Sequence, residues 1–330
     1  MNPHFLDPIA IQTALAARHS SQNSTFLESN EEKNEEQNES LPPWNLRIYN
    51  RLASTTLTLW DSIQRGAPSH TVVIAQEQTQ GRGQRGREWV SAPGGLYLST
   101  AIRPDVPIQQ PQQHLTLATA WGIATQFRAL GIRVGLKWPN DLVVNGRKLG
   151  GILIETRSRG DRLLWVCIGV GINWSNPVPP TGINVHELLR QEFNPSAIND
   201  LAALILRGIT LGLDRCQPDE AMAIARDYEN LLVNRGQHVS WTSAEGECYE
   251  GVVVGVNVAG ELRVQGRHSR PTVKLSEPSR GVLSHASIDS TSISSEFISS
   301  GSSGFSDSSE DPLTEFTFAP GSLRLGYGRL

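Results

Sequence analysis

Short stretches of this sequence carry residue types that chemistry needs. Gly81 to Trp89 reads GRGQRGREW. Its glycines let backbone N–H groups approach a ligand, and Arg82, Arg85 and Arg87 add positive charge, so the loop suits a phosphate or a carboxylate. Solvated turns and non-specific RNA contacts use the same composition. The loop is not a P-loop, because GxxxxGKS and GxxxxGKT are absent from the chain. Lys137 to Asp141 reads KWPND, in which proline fixes the backbone and one short turn presents a lysine and a carboxylate. Lys137 ends an apolar run, where the competing reading is half of a structural ion pair. In KLGGILIE, Lys148 to Glu155, Gly150 and Gly151 leave backbone bare for a ligand, or mark a β-bulge. The polar pair Ser54-Thr55 precedes these stretches, and GVGIN, Gly169 to Asn173, follows them.

The elements around these residues form a pattern of strands with interleaved helices. The stretch from Trp44 and the runs TVVIAQEQ, GLYLSTAIR, LVV, KLGGILIETR and LLWVCIGVGINW predict strands, with a turn at Asn145-Gly146. TTLTLWDSIQRG predicts a helix capped at Ser54 or Thr55. Leu117, Trp121, Ala124 and Phe127 recur at helical spacing and stop before Gly131. Two further helical stretches fill 198–232, and short strands with a turn at Asn257 to Gly260 follow. The expected organisation is a polar, acidic, disordered leader over 1–43, a catalytic domain over 44–232 and a small β domain over 233–330. Thirteen of the residues from Gly281 to Pro312 are serine, which predicts a disordered insertion at about 277–312. The one short helix expected before the polar stretch 19–43 of the leader, Ile9 to Arg18, is too little for a DNA-binding helix-turn-helix domain.

Composition narrows the function classes. Lys and Arg number 29 against 33 Asp and Glu, a formal charge of -4, which is not the footprint of a protein built to coat nucleic acid. Cys167, Cys216 and Cys248 form no CxxC pair, so neither a zinc site nor a disulfide framework is expected. No run of about 18 apolar residues and no secretory signal is visible, so a soluble, cytoplasmic protein away from the membrane is expected.

Taken in order, Ser54-Thr55, GRGQRGR, KWPND, KLGG and GVGIN make a constellation that resembles the biotin protein ligase family, of the monofunctional type without a DNA-binding domain. The match runs from about 46 to 174 and, more loosely, into the C-terminal region. The resemblance implies an α+β fold: a mixed β-sheet packed with helices, like the class II synthetases and biotin–lipoate ligases, then a small SH3-like β-barrel. It implies an enzyme that joins biotin to ATP as biotinyl-5'-AMP, with Mg²⁺, and passes the biotin to a lysine of the biotin carboxyl carrier protein of acetyl-CoA carboxylase. Ser54, Thr55 and Gln78 would read the ureido ring, with Gly81, Arg82, Gln84 and Gly151 lining the site. Lys137 would bridge the biotin carboxylate and the α-phosphate, with Arg82 and Asp141 assisting the chemistry. Arg85, Arg87, Trp89, Asn140 and Asn173 would hold the nucleotide, Trp89 by stacking on adenine. Asp141 either orients the attacking amine or accepts its proton, or else caps its own turn or binds the metal. A monomer or weak homodimer is expected.

Two positions depart from the family pattern. Gln84 stands where a second arginine is usual, and Thr56 where asparagine is common. Lipoate or octanoate ligases share the fold and the acyl-transfer logic and form the nearest alternative. A biotin-responsive repressor and a Gly/Arg-loop RNA-binding protein are the others.

Overall fold

The computed structural model describes residues 6–17, 43–104, 112–160, 162–188, 198–269, 293–295, 313–323 and 325–326. Residues 18–42 of the leader and most of the serine-rich stretch lie outside them, whereas Pro8–Ala16, within the span expected to be disordered, forms a helix. Within the serine-rich stretch Ile293–Ser295 forms a short strand.

The elements in chain order are α1 (Pro8–Ala16), β1 (Asn45–Leu52), α2 (Thr55–Gln64), β2 (Thr71–Gln78), β3 (Leu96–Ile102), α3 (Gln112–Ala129), β4 (Gly135–Lys137), β5 (Asp141–Val144), β6 (Arg147–Arg159) and β7 (Arg162–Ile172). There follow α4 (Val185–Leu188), α5 (Ile198–Asp214), α6 (Ala221–Glu229), β8 (His238–Thr242), β9 (Cys248–Val256), β10 (Leu262–His268), β11 (Ile293–Ser295) and β12 (Thr314–Phe318). The first sheet runs β1-β2-β3-β7-β6-β5-β4 and the second β11-β12-β10-β9-β8. The first is mixed: β1 lies parallel to β2, while β2–β3 and β3–β7 are antiparallel. No helix among the described residues is long and apolar enough to cross a membrane.

Contacts divide the chain into two compact units, and the division cuts across the expected boundary at 232. Unit one holds 1–108, 153–177 and 184–211, and unit two holds 109–152, 178–183 and 212–330. The C-terminal strands therefore group with α3, β4, β5 and α6.

In unit one, β2 is a β-branched run buried over its first five positions, and it supplies the floor on which α2 packs. Leu59 and Trp60 of α2 meet Val73, Ala101 and Cys167 in a buried cluster flanked by Leu52, Ile63 and Trp165. That packing sets the axis of α2, and so aims its first turn. The helix α1 is held at both ends: the Asp7 side chain accepts the Ile9 N–H, and Arg207 of α5 donates to the carbonyls of Ala14 and Ala17. These are the groups a helix leaves unpaired at its termini.

In unit two, β5 and β6 form a hairpin through Asn145 (φ 50°) and Gly146 (φ 69°), the left-handed pair that a two-residue turn requires. The C-terminal strands build an antiparallel sheet around Trp241, whose ring stacks on Tyr249 and meets Phe316 and Phe318 edge-on. Its described strands have an open order with β11 and β8 at the ends, in place of a closed barrel. Trp138 Nε1 donates to the Gly260 carbonyl (3.0 Å) in the β9–β10 turn, which fastens the KWPND turn to this sheet.

Candidate active site

The first turn of α2 is a polar cluster in a buried place. Ser54 occupies the N-cap position, yet its hydroxyl makes no cap bond. The cap is supplied by Gln78 at the end of β2, whose Oε1 accepts from Thr55 N (2.8 Å) and Thr55 Oγ1 (3.1 Å). The other end of that amide donates to Ser91 Oγ (2.8 Å), which in turn donates to the Trp89 carbonyl. Ser99 of β3 lies 2.8 Å from Thr55 Oγ1 and 3.1 Å from Thr56 Oγ1. The result is a chain of neutral hydrogen bonds from the loop through β2 to β3. Ser54 Oγ is buried, 1% exposed, with no partner. A buried hydroxyl without a partner is costly in a protein interior, and a polar ligand would satisfy it.

Strand β7 shapes the neighbouring space. Gly169 pairs across with Ser99 and Gly171 with Tyr97. With period-two alternation, Gly169 and Gly171 lie on one face, and Asn173 follows in the same phase. A Cβ on Gly169 would stand 3.2 Å from Thr56 Oγ1, and one on Gly171 would stand 2.6 Å from Trp89 Nε1. The Trp89 indole thus lies directly on bare backbone. The Asn173 side-chain oxygen accepts from Asn176 Nδ2 (3.1 Å).

The Gly/Arg loop folds as a hairpin closed on itself. Gln78 pairs with Ser91 and Arg82 with Glu88, and Gly83 N donates to the Arg87 carbonyl. Gln84–Gly86 makes a 3-10 turn in which Arg85 takes φ 58°. Gly81 must be glycine, since a Cβ there would overlap the Trp89 carbonyl and Ser91 Oγ. Arg85 and Arg87 are exposed at the tip, whereas Arg82 turns back to Glu155 of β6, Nη1 to Oε1 3.1 Å.

In unit two, Lys137 ends β4 and Asp141 opens β5, with Trp138-Pro139-Asn140 between them. The turn is held from several directions: Trp138 N donates to Asn234 Oδ1, Tyr228 donates to the Pro139 carbonyl, and Asn140 Nδ2 donates to the Ile152 carbonyl. The Asp141 carboxylate sits 2.6 Å from Lys148 Nζ and 3.9 Å from Lys137 Nζ. Burial and the Asp141 charge hold the Tyr228 phenol well above its ordinary value. Asp141 pairs with Gly151 and Leu142 with Gly150, after which the register shifts by one residue at Leu149. The paired glycines therefore sit beside a β-bulge, the feature their spacing also allowed.

A carboxylate already engaged by two ammonium groups is a poor metal ligand. No cluster of three or more metal-binding side chains exists among the described residues. Asp141, the candidate ligand, therefore does not fit a resident Mg²⁺. Cys167 and Cys216 offer no nucleophile either. Burial, with the Glu155 carboxylate, raises the Cys167 thiol far above its usual value, and burial with Asp214 pushes Cys216 up to about 12.

Ser91, Ser99, Glu155 and Lys148 belong to these clusters, and sequence reasoning did not single them out for a role. Period-two alternation marks Ser99 as inward-facing, but nothing local distinguishes it from a core serine.

A family model described as the biotin/lipoate A/B protein ligase family matches residues 49–173. The biotin–acetyl-CoA-carboxylase ligase of Paracoccus denitrificans is 39% identical over 223 residues, covering 62% of this chain and 88% of that protein. The chain belongs to the biotin/lipoate A/B protein ligase family. The bifunctional ligase/repressor BirA of Bacillus subtilis is 40% identical over 129 residues, and the chain spans 40% of its length. The fold matches a biotin protein ligase from Aquifex aeolicus, solved with biotin and ATP, at a TM-score of 0.55 and 24% identity, over 68% of this chain and 95% of that one. For this family member the motif stretches from Ser54 to Asn173 fall inside or at the edge of the matched region.

Proposed function

We propose that this chain is an ATP-dependent biotin protein ligase, which forms biotinyl-5'-AMP and transfers the biotin to a lysine of a biotin carboxyl carrier protein. The observation that carries the reading is the buried, unpartnered Ser54 hydroxyl at the head of a neutral hydrogen-bonded network with Thr55, Gln78 and Ser99. A ureido ring presents two N–H donors and one carbonyl acceptor, all uncharged, and suits such a network. A dithiolane ring has no donor to give it, and would leave Ser54 unsatisfied, so the network favours biotin over lipoate.

In the first half-reaction a biotin carboxylate oxygen attacks the α-phosphorus of ATP, and pyrophosphate leaves. Both reactants are anions, so cations must face the developing charge. Arg82 and Lys137 take that role in this reading, with Gly81, Gln84 and Gly151 lining the acid and Arg85, Arg87, Asn140 and Asn173 holding the nucleotide. Magnesium arrives with ATP as part of the substrate. Trp89, braced on Gly171, offers its indole to adenine. In the second half-reaction the carrier lysine, deprotonated, attacks the acyl carbon and AMP leaves. Asp141 serves here by ordering Lys137 and Lys148, and its acceptance of the amine proton is the secondary role. The carrier is that of acetyl-CoA carboxylase, the compartment is the cytoplasm, and the protein acts as a monomer or weak homodimer without DNA.

The test is incubation of the full chain with Mg-ATP and radiolabelled biotin, with lipoate in a parallel tube, followed by addition of a carrier domain. Label on one carrier lysine, with biotin only, is expected. Activation of lipoate, or of neither acid, would overturn the reading.

A further inference from the structure

This inference rests on the ligase reading and concerns Glu155, a residue to which the mechanism above assigns nothing. Glu155 Oε2 accepts Trp60 Nε1–H at 2.8 Å, while Oε1 lies 3.1 Å from Nη1 of Arg82. Two residues along the same strand, the Arg157 guanidinium lies over the Trp60 ring, 4.1 Å from its centroid. Trp60 itself is 6% exposed and anchored in the apolar cluster with Leu59, Val73, Ala101 and Cys167. It belongs to α2, the helix whose first turn carries Ser54, Thr55 and Thr56. A rigid indole therefore fixes a carboxylate, and the carboxylate fixes the arginine of a surface hairpin.

An ion pair this close to solvent adds little stability, with the Arg82 side chain 43% exposed. Its effect falls on geometry. A long side chain loses rotamer freedom when it orders on a ligand, and a fixed partner removes that cost before the ligand arrives. Arginine suits the arrangement because its planar group carries five N–H donors, so one edge can stay on Glu155 while another meets an anion. We propose that Glu155 is a positioning residue for Arg82, which holds the guanidinium ready for the substrate's anionic group and links the hairpin to the helix that reads the ring. Trp60 completes the device by holding Glu155.

The substitution Glu155→Gln tests this, because the amide oxygen can still accept from Trp60 while its NH₂ group turns a donor toward Arg82. The expected result is a roughly five- to tenfold loss in kcat/KM for adenylate formation, carried by KM, with an unchanged melting temperature. In an Arg82→Ala background the same change is expected to have no further effect, since coupled residues are not additive. Trp60→Phe, which deletes the indole donor to Glu155 and also shrinks the ring in the apolar cluster, is expected to shift KM the same way by a smaller factor, and serves if Glu155→Gln does not fold. The Arg82 Nε–Hε NMR signal of the ligand-free protein should show an ordered side chain in the wild type and a motionally averaged one in Glu155→Gln. Equal losses in both backgrounds, or wild-type kinetics for Glu155→Gln while Arg82→Ala is impaired, would overturn the proposal. If the wild type itself forms no biotinyl-adenylate, the ligase reading fails, and this inference with it.

Discussion

The first turn of α2 and the β4–β5 turn solve different problems with different chemistry. Around Ser54 the partners are neutral: hydroxyls and one amide, contributed by α2, β2, β3 and the loop, with one hydroxyl left unsatisfied. Around Asp141 the partners are charged: two lysines on one carboxylate, with the turn braced by Asn234, Tyr228 and Ile152. A neutral network discriminates by matching donors to acceptors, because a mismatch leaves a buried group unpaired. A charged cluster acts on developing charge, where a fixed cation does most in a transition state. Under the proposed ligase reading, recognition of the ring and rate of the chemical step fall to separate groups of residues.

That separation can be broken by experiment. The largest effect is expected at Lys137. Replacement by Met keeps the apolar stem and removes the charge, and should lower kcat for adenylate formation about a hundred- to a thousandfold. The KM for biotin should change little, measured by pyrophosphate release. A Lys137→Met enzyme with wild-type kcat and raised KM would merge the two regions into one binding function.

Next in size is Gly171→Val. A side chain there meets Trp89 Nε1 at 2.6 Å or less, so the indole must leave its place on β7. The affinity for ATP should fall about tenfold or more, equivalent to about 1.4 kcal/mol, with biotin affinity nearly unchanged. Titration of each ligand by calorimetry separates the two.

Ser54→Ala should affect binding and stability in different ways. The hydroxyl has no partner among the described residues, so its removal should leave the melting temperature unchanged or slightly raised. A lost ligand hydrogen bond of about 1 kcal/mol should raise the KM for biotin about fivefold, with kcat kept. A fall in stability would mean that the hydroxyl belongs to the fold and not to the site.

The smallest effect is expected at His114 on α3, which is fully buried. Burial lowers its pKa from the usual 6.5, with the Val258 backbone acting weakly in the other direction. A group lowered on folding contributes stability above its unfolded pKa, and that contribution is lost as pH falls below about 6.5. The melting temperature should therefore drop by a few degrees between about pH 7.5 and about pH 5.5, and drop less in His114→Gln. Ring recognition and catalysis should be untouched by that substitution when measured at neutral pH.

Strand and helix order was legible in the sequence because periodicity and turn residues are local. The β-branched run TVVIAQEQ, the Asn145-Gly146 turn and the stop at Gly131 all appear where they were expected. The grouping into compact units was not. Nothing near residue 232 reveals that Trp138 bonds to Gly260, or that the C-terminal strands group with the KWPND turn. The motifs and the resemblance named Lys137, Arg82 and Gln78, but gave no role to Lys148 or Glu155. Glu155 meets Arg82 and Trp60, far away in sequence, and Lys148 meets Asp141 across the β5–β6 hairpin.

By itself the sequence determined the inventory: which loop is glycine-rich and cationic, which turn carries a lysine and a carboxylate, and which family the motifs resemble. Those are properties of neighbouring residues. Only the tertiary structure decided that Gln78, and not Ser54, caps α2, that Asp141 is shared by two lysines, and that Arg82 rests on Glu155. Each of these depends on which side chains reach one another across strands. Hydrogen bonds and ion pairs act over a few ångströms, and sequence distance says nothing about that separation until the sheet has brought the strands together.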